Sequence, residues 1–397
     1  MSSYKEIVLR PGKEASLRRF HPWVFSGAIA RKPEELEEGE TVRVLAADGS
    51  FLGVGHFQIG SIAVRIMSFL DELIDTAFYE KSLLNAYRMR QELGLIRPDN
   101  TIFRLVHGEG DNLPGLIIDI YGDTAVIQAH SIGIHNDMGP VTEALKRAIP
   151  ADTVKHIFYK SEGTLPYKAG IFPENSYLFG GDGVDAIALE NGLRFRIDWL
   201  KGQKTGFFVD QRENRALLER YARNRHVLNM FCYTGGFSVY ALRGGAASVV
   251  SVDSSAKAVS ITDQNVALNF GEDPRHTSLP EDAFKFLKQL QYGEKDLIIL
   301  DPPAFAKHRG AVNNALQGYK KLNLHAMEKI APDGFLFTFS CSQVISAEQF
   351  RLAVFSAAAI SGRKVRILHQ LTQPADHPIN IYHPEGEYLK GLVLRVE

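Results

Sequence analysis

Only two cysteines, Cys232 and Cys341, occur in 397 residues. Two thiols cannot build a disulfide framework, and they rule out a four-cysteine zinc site. No run approaches the ~18 apolar residues of a membrane span. The opening MSSYKEIVLRPGKEASLRRF lacks the apolar core of a secretory signal. Net charge is nearly absent too, with 45 Lys plus Arg against 46 Asp plus Glu. The total therefore points to neither nucleic acid nor membrane. The 34 glycines and 17 prolines show no period, which excludes a fibrous repeat. What is present is ordinary for a globular chain: 45% hydrophobic and 23% charged residues, too apolar for a disordered one. At roughly 100–200 residues per domain, two or three domains are expected, in a reduced, cytoplasmic protein.

The charge is unevenly spread. Residues 1–32 hold seven bases (Lys5, Arg10, Lys13, Arg18, Arg19, Arg31, Lys32) against Glu6 and Glu14. Five glutamates follow within residues 34–40. Residues 194–225 hold nine Lys and Arg against four acids. Such local patches suit phosphate backbones even in a neutral chain; solvated faces are the plainer reading.

Periodicity divides the chain in three. Residues 1–72 alternate apolar and polar in KEIVLR, TVRVLAADGSFLGVGHF and SIAVRIMSF, the pattern of half-buried strands. Residues 73–186 read as a mixed α/β region. A helix is expected over 75–95, with Asp75 as N-cap and Phe78, Leu83, Leu84, Tyr87 and Leu93 on its apolar face. Strands then run through TIFRLVHGEGDNLPGLIIDIYGDTAVIQAH, a helix over 135–149, a strand in VKHIFYKSE, and a Gly/Pro-rich loop over 163–183. From 187 a hairpin (LRFRIDWL) leads into alternating strands and helices. That alternation predicts a mostly parallel, doubly covered, Rossmann-like sheet.

In such a sheet, ligands bind beyond the C-terminal strand ends. One end runs into NMFCYTGGFSV, where glycine lets backbone approach a ligand. The next ends at Asp253, placed to accept from two ribose hydroxyls. Asp282, after a short third strand, is expected at the adenine edge. A dinucleotide would want G-x-G-x-x-G, which residues 232–240 lack. S-adenosylmethionine, with no pyrophosphate, fits better. A fourth end carries Asp301-Pro302-Pro303, a rigid turn suited to facing a substrate base. A fifth ends at Cys341, in FTFSCSQ. A buried cysteine is usually a small hydrophobe, but at the ligand edge a thiolate can serve as nucleophile. Cys232, inside the first loop, suits packing. The segment KGQKTGFFVDQRENR mixes small polar and aromatic residues, and is expected to lie over a cofactor.

Taken together, GQKTGFFVDQRENR, LNMFCYTGGFSVYAL, SVVSVDSS, LDPPAF, FTFSCS and ADHPINIYHPEGEYLKG resemble the bacterial type I family of 23S rRNA cytosine-C5 methyltransferases, as do HPWVFSGAI and RLVHGEGDNLPGLIIDIYG. The resemblance covers essentially the whole chain. It implies an N-terminal PUA RNA-binding domain, a mixed α+β central domain, a C-terminal class I methyltransferase domain, and a homodimer acting on 23S rRNA or a large-subunit precursor. By position, it implies donor binding by Asn229, Tyr233, Thr234, Gly235, Asp253, Ser254, Asp282 and Asp301, with Lys204, Thr205, Phe208, Asp210, Gln211 and Arg212 from the overlying segment. Cys341 matches the nucleophile. Ala304 stands where many wider relatives carry a second cysteine, so Asp301 or a water is expected to manage the proton. Stacking of an unstacked base on Phe305 or on the Phe207–Phe208 pair is also expected. The alternatives are a methyltransferase for another atom such as guanine N7, a non-catalytic RNA-binding assembly factor, and a small-molecule methyltransferase.

Overall fold

The computed structural model describes residues 4–166, 170–182, 184 and 186–397. Residues 167–169, 183 and 185, within or beside the stretch expected to be loop, lie outside the described residues. The chain forms two compact units. One takes everything up to Asn191, with Ile197–Val209 and Ala375–Gly386; the other takes Gly192–Arg196, Asp210–Pro374 and Glu387–Glu397.

The first unit begins with β1 (Lys5–Leu9), β2 (Trp23–Phe25), β3 (Ile29–Arg31), β4 (Thr41–Leu45), β5 (Phe51–Phe57) and β6 (Ile62–Ser68). They form one sheet in the order β2-β6-β5-β4-β1-β3. Ile7, Val42, Val44, Val54 and Val64 are fully buried in it, as the period of two requires. Helix α1 (Thr76–Glu92) starts where the Asp75 carboxylate accepts from Phe78 N at 3.0 Å. It buries Phe78, Leu83 and Tyr87. Leu93, expected on that face, is instead the C-cap and 44% exposed, one step past the last packed turn.

A second sheet, ordered β11-β10-β9-β8-β7, contains β7 (Ile102–His107), β8 (Leu116–Tyr121), β9 (Thr124–Ala129), β10 (His156–Tyr159) and β11 (Ser176–Phe179), with α2 (Ile132–Asn136) and α3 (Met138–Ala148) between β9 and β10. Strand β11 lies in the stretch expected to be loop. It is an edge strand with one antiparallel neighbour, β10, so its four residues carry little of the pattern of a buried strand. Strand β12 (Ile187–Glu190) follows. The C-terminal excursion Ala375–Gly386 is anchored in this unit by buried charge. Arg90, fully buried, donates to the Asp111 carboxylate and, at 2.8 Å, to Asp376 O. Arg104 N donates to Asp376 Oδ2 at 3.0 Å. Gly110 admits the excursion, because a Cβ there would lie 1.9 Å from Pro378 O.

The second unit begins with β13 (Leu193–Arg196). Of the hairpin expected over residues 193–200, only β13 is strand there; beyond it Asp198 closes a turn by accepting from Lys201 N at 2.9 Å. Then come α4 (Arg212–Tyr221), β14 (His226–Met230), α5 (Gly236–Arg243), β15 (Ser248–Asp253), α6 (Ala256–Phe270), β16 (His276–Pro280), α7 (Ala283–Gln289), β17 (Leu297–Leu300), α8 (Val312–Lys329), β18 (Gly334–Ser340), α9 (Ala347–Ser361), β19 (Val365–Thr372) and β20 (Lys390–Val396). The sheet runs β16-β15-β14-β17-β18-β20-β19. It is parallel from β16 to β18, while β20 is antiparallel to both neighbours. All four residues of β17 are fully buried, each apolar side chain contributing about 1.5–3 kcal/mol. The order reverses between β14 and β17. That crevice is where an open α/β sheet takes its ligand.

Candidate active site

The loop after β14 is strained. Phe231, Tyr233 and Gly235 all have positive φ (57°, 47° and 80°). For the two aromatic residues this costs on the order of 1 kcal/mol each. Strain of this kind collects where a site fixes a backbone. Gly235 also leaves room for α6: a Cβ there would lie 2.5 Å from Thr262 Cγ2. Asp253, half-buried at the end of β15, clamps the loop. Its Oδ2 accepts from Tyr233 N at 3.0 Å and its Oδ1 from Ser255 N at 2.9 Å. Ser254 beside it is exposed. Asp282 is exposed and caps α7 by accepting from Lys285 N at 2.8 Å.

Cys232 is buried in this loop, with Thr262 Oγ1 and Tyr233 O each 3.8 Å from its sulfur. Burial, helped by the Asp253 charge, pushes the thiol up to about 12. That disfavours the thiolate at neutral pH, the form a nucleophile needs.

The next two strand ends hold the other chemistry. Asp301 follows β17, and burial pushes its carboxyl up to about 7. The Asp210 carboxylate adds to that rise, while a hydrogen bond from Gln211 and the charge of Arg215 oppose it. A group that titrates near the working pH can both accept and release a proton. Cys341 follows β18, the parallel neighbour of β17. It is partly exposed, and its sulfur lies 3.9 Å from Pro302 O in the Asp-Pro-Pro turn. Ser342 braces the same shelf: its Oγ accepts from Ala306 N at 3.3 Å and bonds the Tyr319 hydroxyl at 2.9 Å. The Phe305 ring packs 4.6 Å from Tyr319 and over Gly318, so α8 already occupies part of the stacking surface expected for a base.

The segment over residues 201–215 divides between the units at Val209. In the first unit Thr205 is buried; it donates to Asp119 Oδ2 at 2.6 Å and bonds the Tyr121 hydroxyl at 2.8 Å. Lys204 is exposed with φ 52°. Phe207 is buried and Phe208 half-buried. In the second unit Asp210 Oδ2 accepts from the Tyr388 hydroxyl at 2.6 Å. Gln211 and Arg212 are buried, with Gln211 Oε1 accepting from Asn214 and Arg212 Nε donating to Glu213. Two residues that sequence reasoning passed over stand out. Asp119 fixes both Thr205 and, through two 2.8 Å bonds, Arg104. Lys390 is a nearly buried ammonium beside Cys341. A lysine inside the apolar run YLKGLVLRV was its only signal.

The second unit has polar atoms to spare for a donor molecule. Asn229 Oδ1, Thr234 Oγ1 and Asp210 Oδ1 are buried and lack a hydrogen-bond partner among the described residues. Asn229 meanwhile donates to Ser238 Oγ at 2.8 Å. Orphaned buried acceptors are rare, and these suit the ammonium and hydroxyl donors of an amino-acid nucleoside. The profile of the family described as S-adenosylmethionine-dependent methyltransferase matches residues 142–386, and that of the PUA-like domain matches residues 7–69. A protein of Tolumonas auensis named ribosomal RNA large subunit methyltransferase I is 40% identical over 395 residues, covering 98% of each chain. Its namesake in Shewanella denitrificans is 41% identical over 401 residues, covering 98% of this chain and 99% of its own. The chain belongs to this methyltransferase family. Its donor is therefore S-adenosylmethionine, and the N-terminal sheet is PUA-like. Among solved structures, one from Streptococcus mutans described as a candidate S-adenosylmethionine-dependent methyltransferase superposes with a TM-score of 0.83 at 21% identity, over 99% of this chain and all of its own. A related methyltransferase complexed with SAH gives 0.83 at 22%, with the same coverage. These two show the shared fold.

Proposed function

We propose that the protein methylates C5 of a cytosine in 23S rRNA through a covalent bond between Cys341 and C6 of the base. The observation that carries this reading is the placement of Cys341: a partly exposed thiol at the ligand edge, against the Asp-Pro-Pro turn. The names of the relatives support large-subunit rRNA as the substrate. C5 of cytosine is a poor nucleophile. Addition of the Cys341 thiolate to C6 moves the C5–C6 π pair onto C5, which can then take up a methyl group. S-adenosylmethionine, when bound, supplies that methyl as a sulfonium substituent. Asp253 holds the ribose hydroxyls, with Ser254 and Asp282 at the nucleoside's rim. Asn229, Tyr233, Thr234, Gly235 and Asp210 form the rest of its bed. Lys204, Thr205, Phe208, Gln211 and Arg212 belong to the same donor-binding reading. Asp301 takes the C5 proton, the electrons of that C–H bond restore the double bond, and the thiolate leaves.

Reaching a base in structured RNA costs a few kcal/mol of unstacking, which phosphate contacts of the N-terminal sheet offset. Its seven bases are not equally available. Lys5 pairs with Glu40, Arg18 faces Asp48, and Arg10 and Arg19 donate to backbone carbonyls. Lys32 lies 4.8 Å from the Phe57 ring centre. Lys13 and Arg31 complete the patch. A cytoplasmic homodimer acting on rRNA or a large-subunit precursor belongs to this reading.

Mass mapping of rRNA from cells with and without the gene tests it. One 23S cytosine should lose its C5 methyl group. RNA carrying 5-fluorocytosine at that position should remain bound to the enzyme through Cys341, because fluorine blocks the proton removal. A methyl lost from guanine instead, or a trapped complex absent at the mapped cytosine, overturns the assignment.

A further inference from the structure

Lys390 opens β20 and is paired in register with Ser340, the residue before Cys341. It is only 6% exposed. Its ammonium donates to Ser342 O at 2.7 Å and to Tyr388 O at 2.8 Å. These two carbonyls bracket Cys341 and the start of β20, and they use two of its three protons. Among the described residues it makes no ion pair with a carboxylate. Burying an ammonium is costly unless a negative charge compensates it. The groups that favour its charge are Cys341 first and then Glu387, which is exposed.

We propose that Lys390 is a positioning residue for the reaction at Cys341: its buried ammonium keeps the neighbouring sulfur in the anionic form. This rests on the reading of Cys341 as the nucleophile. The S–H bond breaks, the proton passes to solvent, and the electron pair stays on sulfur facing a charge fixed by two carbonyls. The arrangement is polarised by its surroundings. Tyr319, from α8, also faces Cys341, and burial raises its hydroxyl, so it stays neutral. Asp301, at the end of the adjacent strand, answers to Asp210, Gln211 and Arg215. Burial lowers Lys390 itself to about 8, which leaves it mostly charged at neutral pH. A lysine present only to tie the loop would serve as well through any donor to the two carbonyls. One acting on the thiol must carry charge.

The test is the pH dependence of Cys341 alkylation by iodoacetamide, read on its own peptide by mass spectrometry in the full-length enzyme. The wild-type midpoint should lie below the ~8.5 of a free cysteine. Lys390→Gln keeps a donor and removes the charge. It should raise the midpoint by about one unit, an approximately tenfold loss of alkylation at pH 7, with S-adenosylmethionine affinity unchanged by calorimetry. Lys390→Arg should preserve the wild-type profile. Lys390→Met is the second uncharged variant should Lys390→Gln fail to fold. A wild-type midpoint at or above ~8.5, or an uncharged folded variant with the wild-type profile, overturns the proposal. Methylation surviving in Cys341→Ala would instead remove the nucleophile reading, and the alkylation profile would still decide the pairing by itself.

Discussion

Both cysteines sit just past the C-terminal end of a central strand, Cys232 after β14 and Cys341 after β18. What lies behind each thiol differs. Cys232 is buried against Thr262 with the Asp253 carboxylate nearby, and both conditions favour the neutral thiol. Cys341 is partly exposed with a buried ammonium beside it. The sheet order keeps the two charges apart: Asp253 ends β15, Lys390 begins β20, and β14, β17 and β18 lie between them. A carboxylate close to a thiol disfavours its anion, and the fold sets Asp253 and Lys390 on different strands. The two thiols share a residue type and a place past a strand end, and differ in what the neighbouring strand sets beside them.

The widest separation should appear in methylation. Cys341→Ala should lower the rate by roughly 10³-fold or more, the loss expected when a covalent route closes. Donor affinity should hold. Cys232→Ala should keep measurable activity and lose about 1 kcal/mol of stability from a small buried cavity. Rates measured under single turnover decide between them. Equal losses in the two variants would break the comparison.

Asp253→Ala comes next. Hydrogen bonds to a charged group contribute about 1.5–3 kcal/mol, so the donor dissociation constant should rise roughly ten- to hundredfold. Because Asp253 also holds Tyr233 N and Ser255 N, Asp253→Asn separates shape from charge and should fall between the two. The Cys341 alkylation profile should not move in either. Calorimetry showing wild-type affinity in Asp253→Ala would place the donor elsewhere.

Much of this was legible in local pattern. Apolar runs such as LIIL mark strands because a doubly covered sheet buries both faces. Asp75 marks a helix start because its side chain replaces a missing backbone acceptor. The Asp-Pro-Pro turn and the two cysteines stand out by residue type. Residues whose role depends on distant partners were not legible. Asp376 is buried with Arg90 and the Arg104 backbone N–H as its donors, residues that lie far from it in the sequence. Lys390 reads as an ordinary strand residue until its register with Ser340 is known. Gly235 looks like a ligand contact in sequence, and the packing of Thr262 against it adds a second reason for glycine that the sequence does not show. The passage of residues 197–209 and 375–386 into the first unit has no local signature at all.

Between the two thiol-bearing ends stands Asp301, and it gives the smallest but most direct reading of how dry that crevice is. Its carboxyl is pushed from 3.8 to about 7, first by burial and then by Asp210. Between those values the folded state holds a proton that the unfolded chain has released. Where the native state binds more protons, stability falls as pH rises. The wild-type protein should therefore lose melting temperature between pH 4 and pH 7 by this route. Asp301→Asn removes the titration. The melting temperature of the variant relative to wild type should rise from pH 5 to pH 8, by on the order of a few degrees. Methylation should report the same group with opposite sign. If Asp301 takes the C5 proton, the wild-type rate climbs as the carboxylate forms near pH 7, and the variant loses that climb along with most of its activity. A melting difference that stays constant from pH 5 to pH 8 would mean that the carboxyl titrates in its ordinary range. The crevice would then be wet, and the proton would have to leave by water.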